Sequence, residues 1–277
     1  MRIATWNVNS LRQRLPKVMD WLTRSDVDVL LMQETKLADE AVPEMPFRMA
    51  GYELAHHGEG RWNGVAIASR VGLADLQPGF GVAPDPDGAR FLAASCGGIR
   101  VASLYAPNGR QVGSEFWTAK LAWYGRLRRW LDGRDPEDPL IIGGDFNVAP
   151  SDLDVWDPAS FAGATHVTRE ERAAFASLLD WGLVDAYRLH HPEGGRFSWW
   201  DYRAGSFHKG QGMRIDHLLV TVPLVPRLTA AEIDREARKN PIPSDHAPVV
   251  VELVDTRGAS PGSPAASSES PTTVATV

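Results

Sequence analysis

The sequence predicts an α/β sandwich, with sheets packed face to face and helices on the outside. Three observations carry this. Short apolar runs rich in β-branched residues recur nine times, several of them bounded by Gly, Pro or Asn, as strands are. Helical periodicity is confined to three windows, at 11–24, 115–132 and 169–181. Strand and helix do not alternate regularly enough for a barrel of parallel units, which leaves layered sheets with helical covers.

In chain order, strands are read at 2–8 (RIATWNV) and 27–33 (VDVLLMQ), on either side of the 11–24 helix. Two more follow at 52–57 and 64–69, and the pair 91–96 and 99–105 is joined by Gly97-Gly98, a hairpin signal. The helix over 115–132 (FWTAKLAWYGRLRRWL within it) leads to a strand at 140–146 (LIIGGDF). The 169–181 helix carries its own punctuation, with Thr168 as N-cap, Glu171 three residues on and Gly182 as the stop. Strands at 214–222 and 247–253 complete the set. Residues 1–255 show no linker and no repeat, and read as one domain; 256–277 is small, polar and Pro/Ser/Thr-rich, and reads as a disordered tail.

Composition sets the outer bounds. With 43% hydrophobic and 23% charged residues in 277, the chain is an ordinary globular protein. No run approaches the roughly 20 apolar residues of a membrane span. The opening MRIATWNVNSLRQR has no apolar signal-peptide core, so a cytoplasmic, non-membrane protein is expected. The single cysteine, Cys96, excludes an intramolecular disulfide framework and a cysteine zinc cluster. The net charge of −6 gives no polybasic signature for nucleic acid. It does not exclude one either, because carboxylates gathered around a divalent cation make a chain acidic without repelling a polyanion.

Chemistry enters where polar residues end apolar strands. Asn7 closes the first strand on the face of Ile3 and Thr5, and Gln33-Glu34 close the second. Tyr105 ends another, followed by Pro107-Asn108. Asp145 and Asn147 stand two apart on one face after Gly143-Gly144, whose missing side chains admit a close neighbour. Asp216 lies near a strand start, and Asp245-His246 head the last strand. A lone Asn or Asp at a strand end caps a turn. Six such ends converging on one side of a sandwich would instead gather two or three carboxylates, two carboxamides and one histidine. All-oxygen ligands suit Mg²⁺ or Mn²⁺ rather than zinc, and one histidine beside a carboxylate supplies an oriented acid or base. These are parts for metal-assisted attack of water on a phosphate ester.

The segments WNVNSLR, LLMQETK, LYAPN, GGDFNV, RFSWWDYR, RIDHLL and PSDHAPV, spread from residue 1 to about 254, resemble in order the signatures of the exonuclease III family of abasic-site endonucleases and DNA exonucleases. The resemblance implies a four-layered α/β sandwich, two packed mixed β-sheets flanked by helices. It implies Glu34 as metal ligand with Asn7 as a ligand or its orienter, and Asp145 as the group exchanging a proton with the attacking water or the leaving oxygen. It further implies Asn147 on the scissile phosphate and at the metal, His246 paired with Asp216, Tyr105 touching the phosphate, and Asp245 supporting a metal position. Asn108 would meet the DNA backbone, and Trp199 with Met213 and Ile215 would border the abasic pocket. The cofactor implied is Mg²⁺, with Mn²⁺ able to substitute. The substrate implied is double-stranded DNA with abasic sites or 3′ ends, bound by a monomer.

Other residues read as packing. Trp117, Trp123 and Trp130 share a helix face; Trp200 points away from Trp199; His217 points away from Asp216; Cys96 is a small hydrophobe. His166 and the remaining histidines show no metal spacing and read as surface or loop residues. Two other functions stand beside the leading one. A phosphatase or phosphodiesterase of the wider superfamily would use the same chemistry on a phosphoinositide or nucleotide, and RFSWWDYR and QETK argue against it. A catalytically silent DNA-binding protein would show a broken set, whereas Glu34, Asp145, Asn147, Asp216 and His246 are all present.

Overall fold

The computed structural model describes residues 1–81, 86–239 and 241–254, so the 256–277 tail lies outside the described residues. The first sheet begins with β1 (Arg2–Asn7), β2 (Val29–Gln33), β3 (Glu53–His57) and β4 (Val65–Ser69). The chain then builds a second sheet from β5 (Ala74–Pro78), β6 (Phe91–Cys96), β7 (Ile99–Tyr105), β8 (Leu140–Asp145) and β9 (Leu183–Asp185). A two-residue pair, β10 (Trp199–Trp200) with β11 (Gly212–Met213), stands apart; β12 (Asp216–Thr221) returns to the second sheet, and β13 (Leu228–Ile233) and β14 (Val249–Leu253) to the first. The orders are β13-β14-β1-β2-β4-β3 and β5-β6-β7-β8-β12-β9. Both sheets are mixed: β1–β2 and β7–β8 run parallel, and the other pairs antiparallel.

Period-2 alternation builds four layers. Ile3, Val29, Leu31, Ile67, Val101, Ile141, Leu218 and Val251 point between the sheets. The opposite faces take the helices. Ala4, Trp6, Leu30 and Met32 meet Val18, Trp21 and Leu22 of α1 (Leu11–Ser25), with Phe47 of α2 (Glu44–Met49). On the far side, Phe91, Leu104 and Ile142 meet Trp123, Tyr124 and Leu127 of α3 (Glu115–Asp132), and Phe175 and Leu178 of α4 (Arg169–Asp180). The sheets approach so closely at Gly143 that a Cβ there would stand 2.8 Å from Leu31 of the facing sheet, as well as 2.5 Å from Leu218 on the neighbouring strand of its own sheet. Two short helices, α5 (Ala186–His190) and α6 (Ser206–Lys209), complete the chain. Among the described residues no helix is long and apolar enough to cross a membrane.

The nine expected strands and three expected helices are present, with shifted ends. The 169–181 helix has the expected capping box, Thr168 Oγ1 accepting from the Glu171 N–H and the Glu171 carboxylate accepting from the Thr168 N–H. Gly97 and Gly98 both have positive φ (56° and 82°), as a tight hairpin between paired Cys96 and Ile99 requires. Cys96, Trp123 and His217 are buried. Of the five strands missed in the sequence, β5, β9 and β13 lie at the edges of the two large sheets, and β10 and β11 form the separate two-residue pair. An edge strand is covered less completely, so ADLQP and LTAAEI lack the continuous apolar run that marks a central strand. The 214–222 strand begins only at Asp216; the Arg214 N–H instead donates to the Asp154 carbonyl at 2.9 Å, and its guanidinium pairs with Asp154 at 2.7 Å and Asp185 at 2.8 Å.

Candidate active site

Strand direction explains why the polar ends meet. β1, β2, β7 and β8 end at the same side of the sandwich, while β12 and β14, antiparallel to β8 and β1, begin there. Tyr105 and Asp216 are the register partners of Asp145 on its two sides. Beneath them lies a buried polar floor, in which Gln33 Nε2 donates to Thr5 Oγ1 and Ser103 Oγ at 3.0 Å each.

Above this floor, Asn7 Nδ2 donates to Glu34 Oε1 at 2.8 Å and to Asp145 Oδ2 at 2.9 Å, so one amide orients both carboxylates. Ligand atoms of Glu34, Asp145 and His246 lie within 4.8 Å of one another. His246 Nδ1 is 2.8 Å from Asp216 Oδ2, and its Nε2 faces Asp145 Oδ2 at 3.7 Å. Ser198 Oγ donates to Asp216 Oδ2 at 2.6 Å and accepts the Ile215 and Asp216 amides, which fixes the carboxylate on the imidazole. Glu34 and Asn147 both hold φ near +50°, a left-handed conformation that costs about 1–3 kcal/mol each. Such strain is kept where the surrounding bonds over-determine it, here by the Asp145 carboxylate accepting from the Asn147 N–H at 2.9 Å.

Electrostatics follow from burial. Burial holds the Asp145 carboxyl well above the usual carboxylate range, with Asp216 and Glu34 adding to the rise and His246 opposing it. Burial alone would push His246 down, but Asp216 and Asp145 outweigh it and keep the imidazole charged at neutral pH. Burial, then Glu34 and Asp145, push the Tyr105 hydroxyl well up, so it stays protonated. A buried carboxylate cluster that drives one member toward neutrality is short of positive charge, and a divalent cation fits that deficit. The donors fit as well: Glu34 and Asp145 offer hard oxygens, while His246 is committed to Asp216.

Not every expected ligand is free to serve. Asn7 faces the carboxylates through its amide nitrogen, which makes it an orienter. Asn147 uses both ends of its amide, donating to the Ala106 carbonyl at 2.9 Å and accepting from Asn108 at 3.2 Å. Asp245 accepts from Asn9 Nδ2 at 2.9 Å and Trp199 Nε1 at 3.1 Å, outside the three-residue group. Met213 and Ile215 are buried with Ala149 and Val155, and half-buried Trp199 packs on that cluster, so Trp199 presents the apolar surface and the other two back it.

Several residues at the site had no signal in the sequence. His166, expected at the surface or in a loop, is in a loop whose placement brings its Nδ1 to 2.6 Å from the Asn147 carbonyl and its Nε2 to 3.5 Å from Asn108 Nδ2. Lys36 bonds Glu34 Oε2 at 2.8 Å and Asn9 Oδ1 at 2.6 Å. Beneath the loop, fully buried Lys120 pairs with Glu171 at 2.6 Å and donates to the Asn147 carbonyl at 2.6 Å. Apart from the local Lys36–Glu34 pair, each contact joins segments well separated in the chain, which no local pattern encodes.

Comparison with known proteins agrees with this geometry. Residues 4–246 match the model of the Endonuclease/Exonuclease/phosphatase family. The chain is 33% identical to an exodeoxyribonuclease III of Haemophilus influenzae, covering 91% of this chain and all of that one. Its structure resembles that of an AP endonuclease from Archaeoglobus fulgidus (TM-score 0.89, 36% identity, 91% of this chain and 99% of that). It is similar as well to a 3′ phosphatase from Neisseria bound to a product DNA hairpin (TM-score 0.88, 38% identity, 92% of this chain and 99% of that).

Proposed function

The chain belongs to the endonuclease/exonuclease/phosphatase family and is a DNA-repair phosphodiesterase, and we propose that it cuts duplex DNA 5′ to abasic sites and clears nucleotides or blocking groups from 3′ ends. The observation that carries this reading is Asp145 set between Glu34 and a charged His246 that Asp216 clamps from behind. Mg²⁺ or Mn²⁺ is the proposed cofactor. Held by Glu34 and Asp145, it would draw negative charge from a phosphate oxygen.

The side chains divide the remaining work. Asp145, buried between Glu34 and His246, takes a proton from the attacking water or returns one to the leaving oxygen. His246 donates from Nε2 to the phosphate where charge develops, and Tyr105, kept protonated, adds a second donor. Asn147 faces the scissile phosphate, Asn108 beside it meets the backbone, and Asp245 positions Trp199 through its indole N–H. Trp199, backed by Met213 and Ile215, receives a sugar without a base; extruding such a sugar costs less than flipping a paired nucleotide. One chain gathers all of these groups, so a monomer is proposed. The single buried Cys96 suits a reducing compartment, and the proposed location is the cytoplasm.

The test uses labelled duplexes with and without a central abasic analogue, incubated in Mg²⁺, Mn²⁺ or EDTA and resolved by length. A metal-dependent nick 5′ to the lesion is expected, with laddering from 3′ ends measuring the exonuclease share. No cleavage of either duplex with either metal would sink the DNA reading and turn attention to a non-DNA phosphoester.

A further inference from the structure

Beside the Trp200–Phe207 pair, away from the catalytic carboxylates, is a second polar cavity of about 350 Å³ lined by Tyr202, Ser206, Phe207, His208, Arg238 and Lys239. Its unusual member is Arg238. This guanidinium is only 6% exposed, yet among the described residues no carboxylate lies within ion-pair reach of it. It sits 5.0 Å from the Tyr202 ring and 5.1 Å from the Phe207 ring. Its Nη2 makes one long hydrogen bond, 3.4 Å to the Trp200 carbonyl, and its Nε is buried without an acceptor.

No neighbour pairs directly with it: buried Asp245 acts on it only through space, and Lys239 at the rim is itself paired with Glu236 at 2.6 Å. Asp201 borders the cavity but is engaged by Arg203 at 2.6 Å. Arg14 reaches Tyr202 Oη at 3.2 Å, and Arg235 lies 4.3 Å from the Phe207 ring, so two further cations crowd the same rings. Lys239 and His208 stand exposed at the rim. In a chain of net charge −6 this is a local surplus of cations. Aromatic faces stabilise the flat of a guanidinium, while its N–H edge is suited to two acceptor oxygens held side by side.

We propose that this cavity binds a phosphate group, taken edge-on by Arg238 with Lys239 and His208 at the rim. The cavity is coupled to the catalytic mouth through adjacent residues: Arg238 bonds the Trp200 carbonyl, and Trp199 holds Asp245. A backbone phosphate of DNA running past the cleavage centre is therefore the favoured source over free phosphate. The anion site stands apart from the catalytic reading; only its assignment to DNA rests on it.

The test compares the wild type with Arg238→Gln. In EDTA, the slope of log affinity for a duplex against log salt should fall in magnitude by about 0.9, one phosphate contact. If the slope is unchanged but inorganic phosphate raises the Tm of the wild type and not of the variant, the site stands and its source is free phosphate. If neither differs, the proposal is overturned and Arg238 is a packing residue. Should Arg238→Gln fail to fold, the exposed pair His208→Gln/Lys239→Gln decides: an unaltered slope and an unaltered phosphate response would overturn the proposal. A failure of the catalytic reading is separable, since it would appear as absent cleavage with the binding difference intact.

Discussion

Replacing Lys120 with methionine isolates the ion pair beneath the catalytic loop. Lys120 and Glu171 are both fully buried, and the ammonium also holds the carbonyls of Asn147 at 2.6 Å and Asn108 at 3.3 Å. The variant strands a carboxylate whose remaining donors are Thr165, Thr168 and the His166 backbone, and leaves two carbonyls without that partner. Breaking one side of a buried pair costs about 3–5 kcal/mol. At roughly 2–4 °C per kcal/mol for a domain of this size, the Tm should fall by roughly 6–20 °C. The pH dependence has a definite sign. Burial tends to raise the Glu171 carboxyl, and in the wild type the Lys120 charge outweighs it and holds it below the usual range. Without Lys120, burial, the largest influence, is opposed only by the hydrogen bonds of Thr165, Thr168 and the His166 backbone, so the folded-state pKa rises relative to wild type and the deficit is smaller at pH 4 than at pH 8. Lys120→Met/Glu171→Gln, which removes the stranded charge and keeps a capping side chain for Thr168, should recover much of the loss. Urea melts of the three proteins at both pH values are the assay. A Lys120→Met loss under about 1 kcal/mol at pH 8, or a double variant less stable than the single one, would refute the argument.

His246→Ala and Asp145→Asn should each lower turnover by about three orders of magnitude or more in single-turnover cleavage; calorimetry should find the Tm of Asp145→Asn within a few degrees of wild type, and that of His246→Ala lowered because the buried Asp216 carboxylate loses its partner, and near-normal turnover of the histidine variant would dismiss the site assignment. Mn²⁺ or Mg²⁺ should raise the Tm of the wild type and not of Glu34→Gln; an equal rise in both would place the cation elsewhere. Asp154 and Asp185 are pushed up by burial but held below their usual range by Arg214, so their contribution is present above the unfolded value of about 3.9 and lost as pH falls below it. Acid titration of Arg214→Met should show a weaker loss of stability between pH 4 and 2 than the wild type, and an identical profile would count against the pair. Trp199→Ala should mainly narrow the preference for abasic over intact duplex, read as a ratio of kcat/KM values.

Much of the site was legible because β-strands report direction and face. Asn7, Tyr105, Asp145 and Asp216 each end or begin an apolar run, and two-residue periodicity puts them in the space between sheets, whereas Glu34 and His246 lie just outside β2 and β14, Glu34 with a φ of +50°. What the sequence withheld is long-range and polar. Ser198 reaches Asp216, Lys120 reaches Glu171, and His166 reaches Asn147, each from a segment with an ordinary local explanation. Amide chemistry was equally hidden: the sequence shows an asparagine at position 7 but not which end of its amide faces the carboxylates. The edge strands β5, β9 and β13 were lost for a different reason, since half-covered strands carry half the apolar signal.

The pairing of β1 with β14 has a consequence for how the protein is made. Asn7 emerges early in synthesis and His246 near its end, and the Ser244 hydroxyl closes on the Asn7 carbonyl across 237 positions. A ribosome-bound chain therefore carries the first half of the cutting apparatus without the second, and that apparatus assembles only after nearly the whole domain has cleared the exit tunnel. High contact order makes this closure slow on the scale of helix formation. Nascent chains halted at Lys239 should be inert toward DNA, while chains extended far enough to free β14 from the tunnel should cut it.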